Sequence, residues 1–355
     1  MSATPTALPA ATPVGASPMF RADPARTGQQ SGPAPAGSVA VAWRFHTDGD
    51  VFSSPALVGG VAYVGSFDNG LYALDAATGA ERWRFATAND VASSPAVADG
   101  SVYVGSLDGQ FYAIDAATGR ERWRAATGDI IASPAVRDGI VYIGSWDGNL
   151  YAFDAASGTE RWRFATGAEV YASAAVAGGM AYVGNIAGDL WAVDLQTGRE
   201  RWRVKLDGAI YATPAVAAGV VYVGDSHGQF VTFDAATGAE RWRFATDGRI
   251  GSSAAIAGGV AYVGSDDRHV YAIDTATGRA LWRFETGAEV FSSPAIVGRL
   301  VCVGSLDGFV YALDATNGTE RWRLRLGGKV YASPAVVGGA VYIGAGGDVV
   351  AVTAR

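Results

Sequence analysis

Two histidines lie in short loops that also carry acidic residues. His227 ends the sequence Asp-Ser-His, and His269 ends the sequence Asp-Asp-Arg-His. Histidine beside carboxylates is typical of metal binding and of general acid–base catalysis. The chain places no third ligand at a spacing that would complete either arrangement, so we predict no metal site and no catalytic residue. We instead place both histidines among the residues predicted to bind a ligand or partner.

A larger set of candidate binding residues differs between the copies of an internal repeat. The aromatic members occupy the second position of the repeat: Phe52, Tyr171, Tyr211, Phe291 and Tyr331. The charged members directly precede the repeat: Asp50, Asp90, Glu169, Arg249, Glu289 and Lys329. Converging aromatic rings with a few polar groups are typical of sites for a small molecule or an extended partner segment. The alternative interpretation is that these side chains only fill a channel and solvate its rim.

The repeat is most complete in VFSSPALVGGVAYVGSFDNGLYALDAATGAERWRFAT, residues 51–87. Its copies follow at steps of 40 residues, with one step of 39. A fixed period of this size is typical of stacked units that bury their apolar faces against one another. Apolar residues alternate with small or polar ones, and glycine-rich turns recur at short intervals, so each copy is expected to form four short β-strands.

Four antiparallel strands in one such repeat are typical of a β-propeller blade. The last copy stops before its fourth strand, whereas residues 39–47, VAVAWRFHT, provide a strand of that type ahead of the first copy. The sequence therefore predicts an all-β fold over residues 38–355. It is a single eight-bladed β-propeller of four-stranded antiparallel blades, closed by the N-terminal strand that completes the last blade.

The constant residues of the repeat are expected to be structural. A tryptophan occupies the fourth strand of every blade and is predicted to dock in the core: Trp43, Trp83, Trp123, Trp162, Trp202, Trp242, Trp282 and Trp322. The aspartate of LDAATG, such as Asp75, is expected to accept main-chain N–H groups in a turn. The aspartate between the second and third strands, such as Asp68, is expected to form a tight hairpin turn, with ligand contact as the alternative.

The first 37 residues form a leader of different composition. They are rich in Ala, Pro, Thr, Ser and Gly and contain no apolar run long enough for an export signal or a membrane helix. We expect residues 1–37 to be partly disordered and their removal to leave stability nearly unchanged. We also expect export or anchoring with the signal removed, and a cytoplasmic location is the alternative.

Composition and charge narrow the classes of partner. The 355 residues are 49% hydrophobic and 17% charged, which is sufficient for a large core. A net charge of -7 without a basic stripe argues against nucleic-acid binding. The single cysteine, Cys302, excludes an internal disulfide. We further expect a monomer without a membrane span.

The pattern A-x-D-x-x-T-G-x-x-x-W, present as Ala73, Asp75, Thr78, Gly79 and Trp83, resembles the tryptophan-docking motif of pyrroloquinoline-quinone-like (PQQ-like) propeller repeats. It recurs with little change in seven units, so the resemblance covers nearly everything after residue 38. The leader sequence SPMFRADPARTG also resembles a segment that precedes such propellers. The resemblance implies an eight-bladed ring in which each tryptophan docks against a neighbouring blade. The family includes quinoprotein dehydrogenases and non-catalytic scaffolds of bacteria.

We favour the non-catalytic class, a scaffold that binds a partner or small ligand at its channel mouth or blade edges. The alternative is a PQQ-dependent quinoprotein dehydrogenase. The resemblance implies that such an enzyme needs Ca²⁺ held by oxygen ligands, a basic residue, an aspartate base and often an adjacent cysteine pair. The chain has one cysteine and no long insertion between repeats. Arg249 and Lys329 are its candidates for an anionic cofactor, but we expect no cofactor.

Overall fold

The computed structural model describes residues 16–355, which form eight four-stranded sheets. The mobility expected for the first stretch of the leader concerns residues 1–15, which lie outside the described part. In seven sheets sequential strands pair in antiparallel order, and in the eighth the first strand of the chain pairs with the last. The fold class predicted from the sequence is confirmed, including its number of blades.

Strands are numbered in chain order from β1 (Val39–His46), which precedes the first blade. Blade 1 contains β2 (Ala56–Val58), β3 (Val61–Gly65), β4 (Gly70–Asp75) and β5 (Glu81–Ala86). Blade 2 contains β6 (Ala96–Ala98), β7 (Ser101–Gly105), β8 (Gln110–Asp115) and β9 (Glu121–Ala126). Blade 3 contains β10 (Ala135–Arg137), β11 (Ile140–Gly144), β12 (Asn149–Asp154) and β13 (Glu160–Ala165). Blade 4 contains β14 (Ala175–Ala177), β15 (Met180–Gly184), β16 (Asp189–Asp194) and β17 (Glu200–Lys205).

The remaining blades repeat the pattern. Blade 5 contains β18 (Ala215–Ala217), β19 (Val220–Gly224), β20 (Gln229–Asp234) and β21 (Glu240–Ala245). Blade 6 contains β22 (Ala255–Ala257), β23 (Val260–Gly264), β24 (His269–Asp274) and β25 (Ala280–Glu285). Blade 7 contains β26 (Ala295–Val297), β27 (Leu300–Gly304), β28 (Phe309–Asp314) and β29 (Glu320–Arg325). Blade 8 contains β30 (Ala335–Val337), β31 (Ala340–Ala345) and β32 (Asp348–Ala354), and β1 completes it.

The ring closes in blade 8 through an antiparallel pair between β1 and β32. Trp43 lies opposite Ala351, and His46 lies opposite Asp348. The short first strands contact one another in sequence around the axis, and β30 contacts β2. The last blade therefore gains its fourth strand from the beginning of the propeller, as predicted, and no blade at the seam is left incomplete.

The core lies between blades rather than within them. The two middle strands of each blade are buried on both faces, whereas the outermost strand alternates between exposed residues and half-buried or buried ones. Eight apolar clusters each join two neighbouring blades; one joins Tyr63 and Leu71 of blade 1 to Val102 and Tyr112 of blade 2. A single blade therefore cannot bury its own apolar surface, and the blades stabilise one another in the ring.

The first strand of each blade is short. The repeat begins with the segment VFSSPAL, but pairing starts only at Ala56, and β2 covers Ala56–Val58. Pro55 precedes this strand, so proline marks the start of the innermost strand rather than a position within it. Residues such as Ser54 use their main-chain N–H to contact the next blade instead of their own sheet. These unpaired segments line the central channel.

Candidate binding site at the channel mouth

One end of the central channel is an open mouth lined by the second residue of each repeat. These eight residues form what we call the inner ring: Phe52, Ala92, Ile131, Tyr171, Tyr211, Gly251, Phe291 and Tyr331. Each side chain in this ring is half-buried. The ring surrounds a cavity of about 190 Å³ that opens to solvent. The structure therefore brings together all five aromatic residues that the sequence predicted for the site.

A second ring of variable residues lies in the turns between the second and third strands. This outer ring consists of Phe67, Leu107, Trp146, Ile186, Ser226, Asp266, Leu306 and Gly346. The turns lie at the same end of the channel, because Phe67 donates its main-chain N–H to the carbonyl of Asp50. Sequence reasoning missed Phe67 and Trp146, which immediately precede the constant aspartate of the turn. The variation of this turn position between repeats could have identified them as candidate site residues.

The aromatic side chains of the two rings form an arc of two halves around the mouth. Phe52 stacks between Phe67 and Tyr331, with ring centroids 4.6 and 4.2 Å away. Tyr331 meets Phe291 edge to face at 6.1 Å. The arc continues on the other side, where Tyr211 meets Tyr171 edge to face at 5.5 Å and Tyr171 stacks on Trp146 at 4.7 Å. Rings in such contacts present a pre-ordered apolar surface.

Arg249 bridges the two halves of the arc. Its guanidinium carbon lies 5.7 Å from the ring centroid of Tyr211 and 5.4 Å from that of Phe291, which are cation–π distances. Its Nε donates to Asp266 Oδ2 at 2.8 Å, whereas the buried Asp266 Oδ1 has no partner among the described residues. Gly251 permits this packing, because a Cβ at that position would lie 2.9 Å from the ring of Phe291.

The acidic residues predicted for the rim surround the mouth at different depths. Asp50 and Glu289 are exposed, whereas Asp90 and Glu169 are half-buried. Burial raises the pKa of Asp90, and the nearby charge of Asp68 adds to this effect. Burial also raises the pKa of Tyr171, with a further contribution from Glu169. Lys329 is exposed on the same loops.

The two histidines make separate local contacts, and neither lines the mouth cavity. His269 is half-buried, and its Nδ1 lies 3.0 Å from the main-chain oxygen of Asp267. His227 is exposed, and its main-chain N–H donates to Asp225 Oδ1. Residues 16–355 contain no group of three or more His, Cys, Asp or Glu side chains able to hold a metal ion.

A ring of hydroxyl groups lies deeper in the channel than the inner ring. It consists of Ser54, Ser94, Ser133, Ser173, Thr213, Ser253, Ser293 and Ser333. The main-chain N–H of each member donates to the hydroxyl oxygen of the next at 2.7–3.2 Å, and Ser333 returns to Ser54. This hydroxyl ring thus joins all eight blades through one closed cycle of hydrogen bonds.

The opposite end of the channel is sealed by the leader. Residues 17–30 pass across the first strands and form eight main-chain hydrogen bonds with them, from Ser17 with Leu57 to Gln30 with Ile296. Phe20 extends inward and lines the floor of the mouth cavity. Farther along, the Pro35 carbonyl accepts the indole N–H of Trp322 at 3.0 Å. Composition had not shown that this part of the leader packs against the propeller.

Two buried arginines hold the leader in place. Arg26 is fully buried and donates to the carbonyls of Phe20, Ser133, Pro134 and Ala174. Arg21 donates to the carbonyls of Arg26, Ala254 and Pro294. Burial lowers the pKa of Arg21 to about 9 and that of Arg26 to about 10, so both are charged at neutral pH. Sequence reasoning missed both residues, although they lie in the leader segment that resembles the one preceding such propellers.

The constant residues around the sealed end contact one another rather than a ligand. Each of the eight tryptophans donates its indole N–H to a main-chain carbonyl at 2.8–3.1 Å, as Trp43 does to Ala76. The Trp43 ring packs on Gly79, which has a φ of +75° and where a Cβ would approach the ring to 2.7 Å. Glycine is required there for both its conformation and its size.

The two sets of repeated aspartates also have partners within the fold. Asp75 Oδ1 accepts the main-chain N–H groups of Ala77 and Thr78, and Oδ2 pairs with Arg82 at 2.7 Å. In the hairpin turns, Asp68 accepts the phenol of Tyr72 at 2.6 Å and the N–H of Gly70 at 2.9 Å. These contacts support the turn-forming roles expected from the sequence.

The mouth does not match the needs of a quinone cofactor with Ca²⁺. The basic residue Arg249 already pairs with Asp266. Among the described residues, no cluster of carboxylates converges on the cavity. Cys302 lies fully buried in β27, away from the mouth, and no second cysteine exists to pair with it. The donor set therefore fits neither the ion nor the adjacent cysteine pair that the resemblance implied.

A PQQ-repeat family model described as "Outer membrane protein assembly factor BamB" matches residues 36–145, 72–193, 146–249 and 231–355. The chain belongs to this PQQ-like repeat family. The matches together cover the whole propeller, which agrees with the resemblance seen in the repeats. No curated protein sequence matches the chain.

Solved structures of the same fold include members of different functional classes. BamB from Moraxella catarrhalis is 21% identical, with a TM-score of 0.77 over 90% of this chain and 98% of that one. The quinohemoprotein alcohol dehydrogenase from Comamonas testosteroni is 18% identical, with a TM-score of 0.84 over 97% and 81%. The computationally designed Ika8 protein is 20% identical, with a TM-score of 0.78 over 87% and 98%. At such identities the likeness shows the fold alone.

Proposed function

We propose that this PQQ-like propeller is a non-catalytic binding protein whose mouth holds an extended segment of a protein partner. The observation that carries the proposal is the aromatic arc around an open cavity. The arc contains Phe52, Tyr171, Tyr211, Phe291 and Tyr331 together with Phe67 and Trp146. Aromatic residues are enriched at protein interfaces because they combine a large contact area with few rotatable bonds.

The dimensions of the mouth favour a partner segment over an enclosed small molecule. The cavity of about 190 Å³ is smaller than the roughly 300–1,000 Å³ typical of small-molecule sites. It can accept one or two side chains, while the outer ring and the charged rim contact the flanking residues. The exposed carboxylates of Asp50 and Glu289 would favour basic residues in those flanks.

The alternative is a quinoprotein dehydrogenase. Solved structures of that class share the fold, but the residues at the mouth do not supply the groups that such an enzyme needs. The mouth offers Arg249 in an existing ion pair and no converging oxygen ligands for Ca²⁺ among the described residues. A direct test adds PQQ and Ca²⁺ to the purified protein and measures the absorbance of the washed protein. Retention of the quinone at a stoichiometric level would favour the enzyme.

The relative named as an outer membrane assembly factor also supports the expectation of export. Across residues 16–355, no helix is long and apolar enough to cross a membrane. We propose that the chain acts outside the cytoplasm as a monomer and meets its partner through the mouth. Fractionation of the source cells and light scattering of the purified protein would test the two parts of this proposal.

The central experiment compares partner capture by the wild-type protein and by a variant that changes Tyr171, Tyr211 and Tyr331 together to Ala. We expect the variant to lose at least 10-fold in affinity for a partner identified by pull-down, with a much smaller change in melting temperature. The matched control changes the same residues to Phe, which keeps the rings. Unchanged affinity with a collapsed melting temperature would show that the rings only fill the channel.

A further inference from the structure

The hydroxyl ring has hydrogen-bond donors that the protein itself does not use. Each hydroxyl oxygen accepts a main-chain N–H from the neighbouring blade. Within residues 16–355, none of the eight hydroxyl groups has a hydrogen-bond acceptor for its own proton. All eight residues are only 3–8% exposed, and all line the mouth cavity. A buried donor without an acceptor is costly, so these groups favour an acceptor within the cavity.

Positive charge lies beneath this ring. Arg21 and Arg26 are bonded to main-chain carbonyls, and neither forms a salt bridge with a carboxylate among the described residues. Arg26 lies 5.6 Å from the ring centroid of Phe20, the residue that lines the cavity floor. The nearby Asp23 directs its side chain to Thr27. Two buried cations, partly offset by the charge of Asp23, lie close to the cavity and favour a negatively charged group inside it.

The mouth above the ring supplies a different kind of surface. Phe291, Tyr331 and Phe52 follow one another around the cavity wall, and Ala92 leaves space beside them. A free inorganic ion would gain nothing from these rings. A ligand with an apolar body and a terminal carboxylate would use both surfaces.

We propose that the hydroxyl ring binds the carboxylate group of a ligand whose apolar body lies against the aromatic arc, which specifies the chemistry of the partner segment in the proposed function. Charge-assisted hydrogen bonds from several hydroxyl groups would hold the carboxylate at the channel axis. The carboxylate can come from the C-terminus of a partner chain or from a small aromatic acid. The two sources share this chemistry and differ in how much of the rim they contact.

The test uses isothermal titration calorimetry on the full chain at fixed ionic strength. The probes are N-acetylphenylalanine, its amide, sodium acetate and the tripeptide N-acetyl-Ala-Ala-Phe with a free C-terminus. We expect saturable binding of N-acetylphenylalanine, at least 10-fold weaker binding of the amide, and weaker binding of acetate. Tighter binding of the tripeptide would assign the site to a chain terminus, and equal binding would assign it to a small acid.

Two variants separate the site from the fold. Ala92→Phe introduces the residue that blade 1 carries at this position, so we expect it to fold, fill the cavity and abolish binding. The double change of Ser133 and Ser173 to Ala removes two donors and should weaken binding several-fold, whereas the same residues changed to Thr should retain it.

Two results would overturn the carboxylate site. One is equal affinity for the acid and the amide, and the other is unchanged binding by Ala92→Phe. Neither result would affect the partner capture that tests the proposed function. If the serine variants do not fold, the comparison of acid with amide and the Ala92→Phe variant still decide the proposal.

Discussion

The two ends of the channel are built from opposite kinds of sequence. At the sealed end, the constant features Trp43, Gly79 and Asp75 recur in nearly every blade and contact one another, and the leader adds Arg21 and Arg26. At the mouth, the residues differ from blade to blade and leave polar atoms such as Asp266 Oδ1 without a partner among the described residues. The difference indicates that repeated contacts maintain the ring at the sealed end, whereas the residues at the mouth are not fixed by the repeat.

Removal of the leader should break the sealed end most severely. A chain that begins at residue 38 lacks the eight main-chain hydrogen bonds to the first strands and both buried arginines. At a net contribution of about 1 kcal/mol for each hydrogen bond, we expect a loss on the order of 5 kcal/mol or more. This expectation replaces the one from composition, which predicted almost no effect.

The measurement is chemical denaturation of this chain against a reference chain that begins at residue 16 and keeps every described contact. Equal midpoints for the two chains would show that the leader contributes nothing to stability. The same pair should differ little in the β-strand content seen by circular dichroism, because β1 is retained in both.

The tryptophan contacts provide the next largest effect. Trp202 is 9% exposed, donates to the Ala235 carbonyl at 3.0 Å and packs on Gly238. Its replacement by Ala should cost roughly 3–5 kcal/mol, the range for removal of a large buried aromatic residue. Denaturation with fluorescence detection measures the loss. A cost below about 1 kcal/mol would contradict the docking role.

A pair of arginines compares the two ends directly. Arg26→Met leaves several buried carbonyls without a donor, at about 1–3 kcal/mol for each group that water cannot reach, so we expect a loss of about 3 kcal/mol. Arg249→Met at the mouth removes a half-exposed ion pair and should cost below about 1 kcal/mol. Thermal melts of the two variants decide the comparison, and an equal loss in both would remove the distinction between the ends.

Sequence reasoning predicted the blades and their closure because the repeat supplied an internal alignment. The period, the alternation in VAYVG and LYALD, and the displaced strand around Trp43 all express local β-strand preferences that the fold retains. The inner ring was found for a related reason, since Tyr171, Tyr211 and Tyr331 stand at a position that other repeats fill with Ala or Gly.

The sealed end could not be predicted in the same way. The leader occurs once, so no second copy shows which of its residues are constrained. Arginine is also a residue type that usually lies on the protein surface, so the sequence gives no sign that Arg26 is buried. Its burial depends on carbonyls from Ser133 and Ala174, more than 100 residues away. Phe67 and Trp146 were missed because the repeated signal in these turns comes from the aspartates beside them. Their contact with the inner ring depends on the turn geometry of the folded blade.

Acid should weaken the aspartate–arginine pairs of the sealed end. Hydrogen bonds from arginine side chains lower the pKa to about 2 for Asp154, Asp194, Asp234 and Asp314, below the ordinary 3.8. Because the folded pKa values lie below the unfolded ones, this stabilisation is present above about pH 4 and is lost as the pH falls towards 2. Melting temperatures measured from pH 5 to pH 2 should therefore fall in this window. Constant values would contradict the contribution of these pairs.

Blade 6 is a natural exception to these pairs and provides the smallest predicted effect. Leu281 replaces the arginine found in six other blades, is 54% exposed, and leaves Asp274 Oδ2 without an arginine partner in the described structure. Leu281→Arg should restore the pair and raise the melting temperature slightly, as expected for an exposed ion pair. It should also lower the pKa of Asp274, which its bonds with Thr277 already depress.

Leu281→Ala is the matched control, since it removes the exposed apolar surface without adding charge. The measurements are the melting temperature and the Asp274 titration by nuclear magnetic resonance at pH 2–5. If Leu281→Arg is no more stable than Leu281→Ala and the titration does not move, the aspartate–arginine pairs do not stabilise the sealed end.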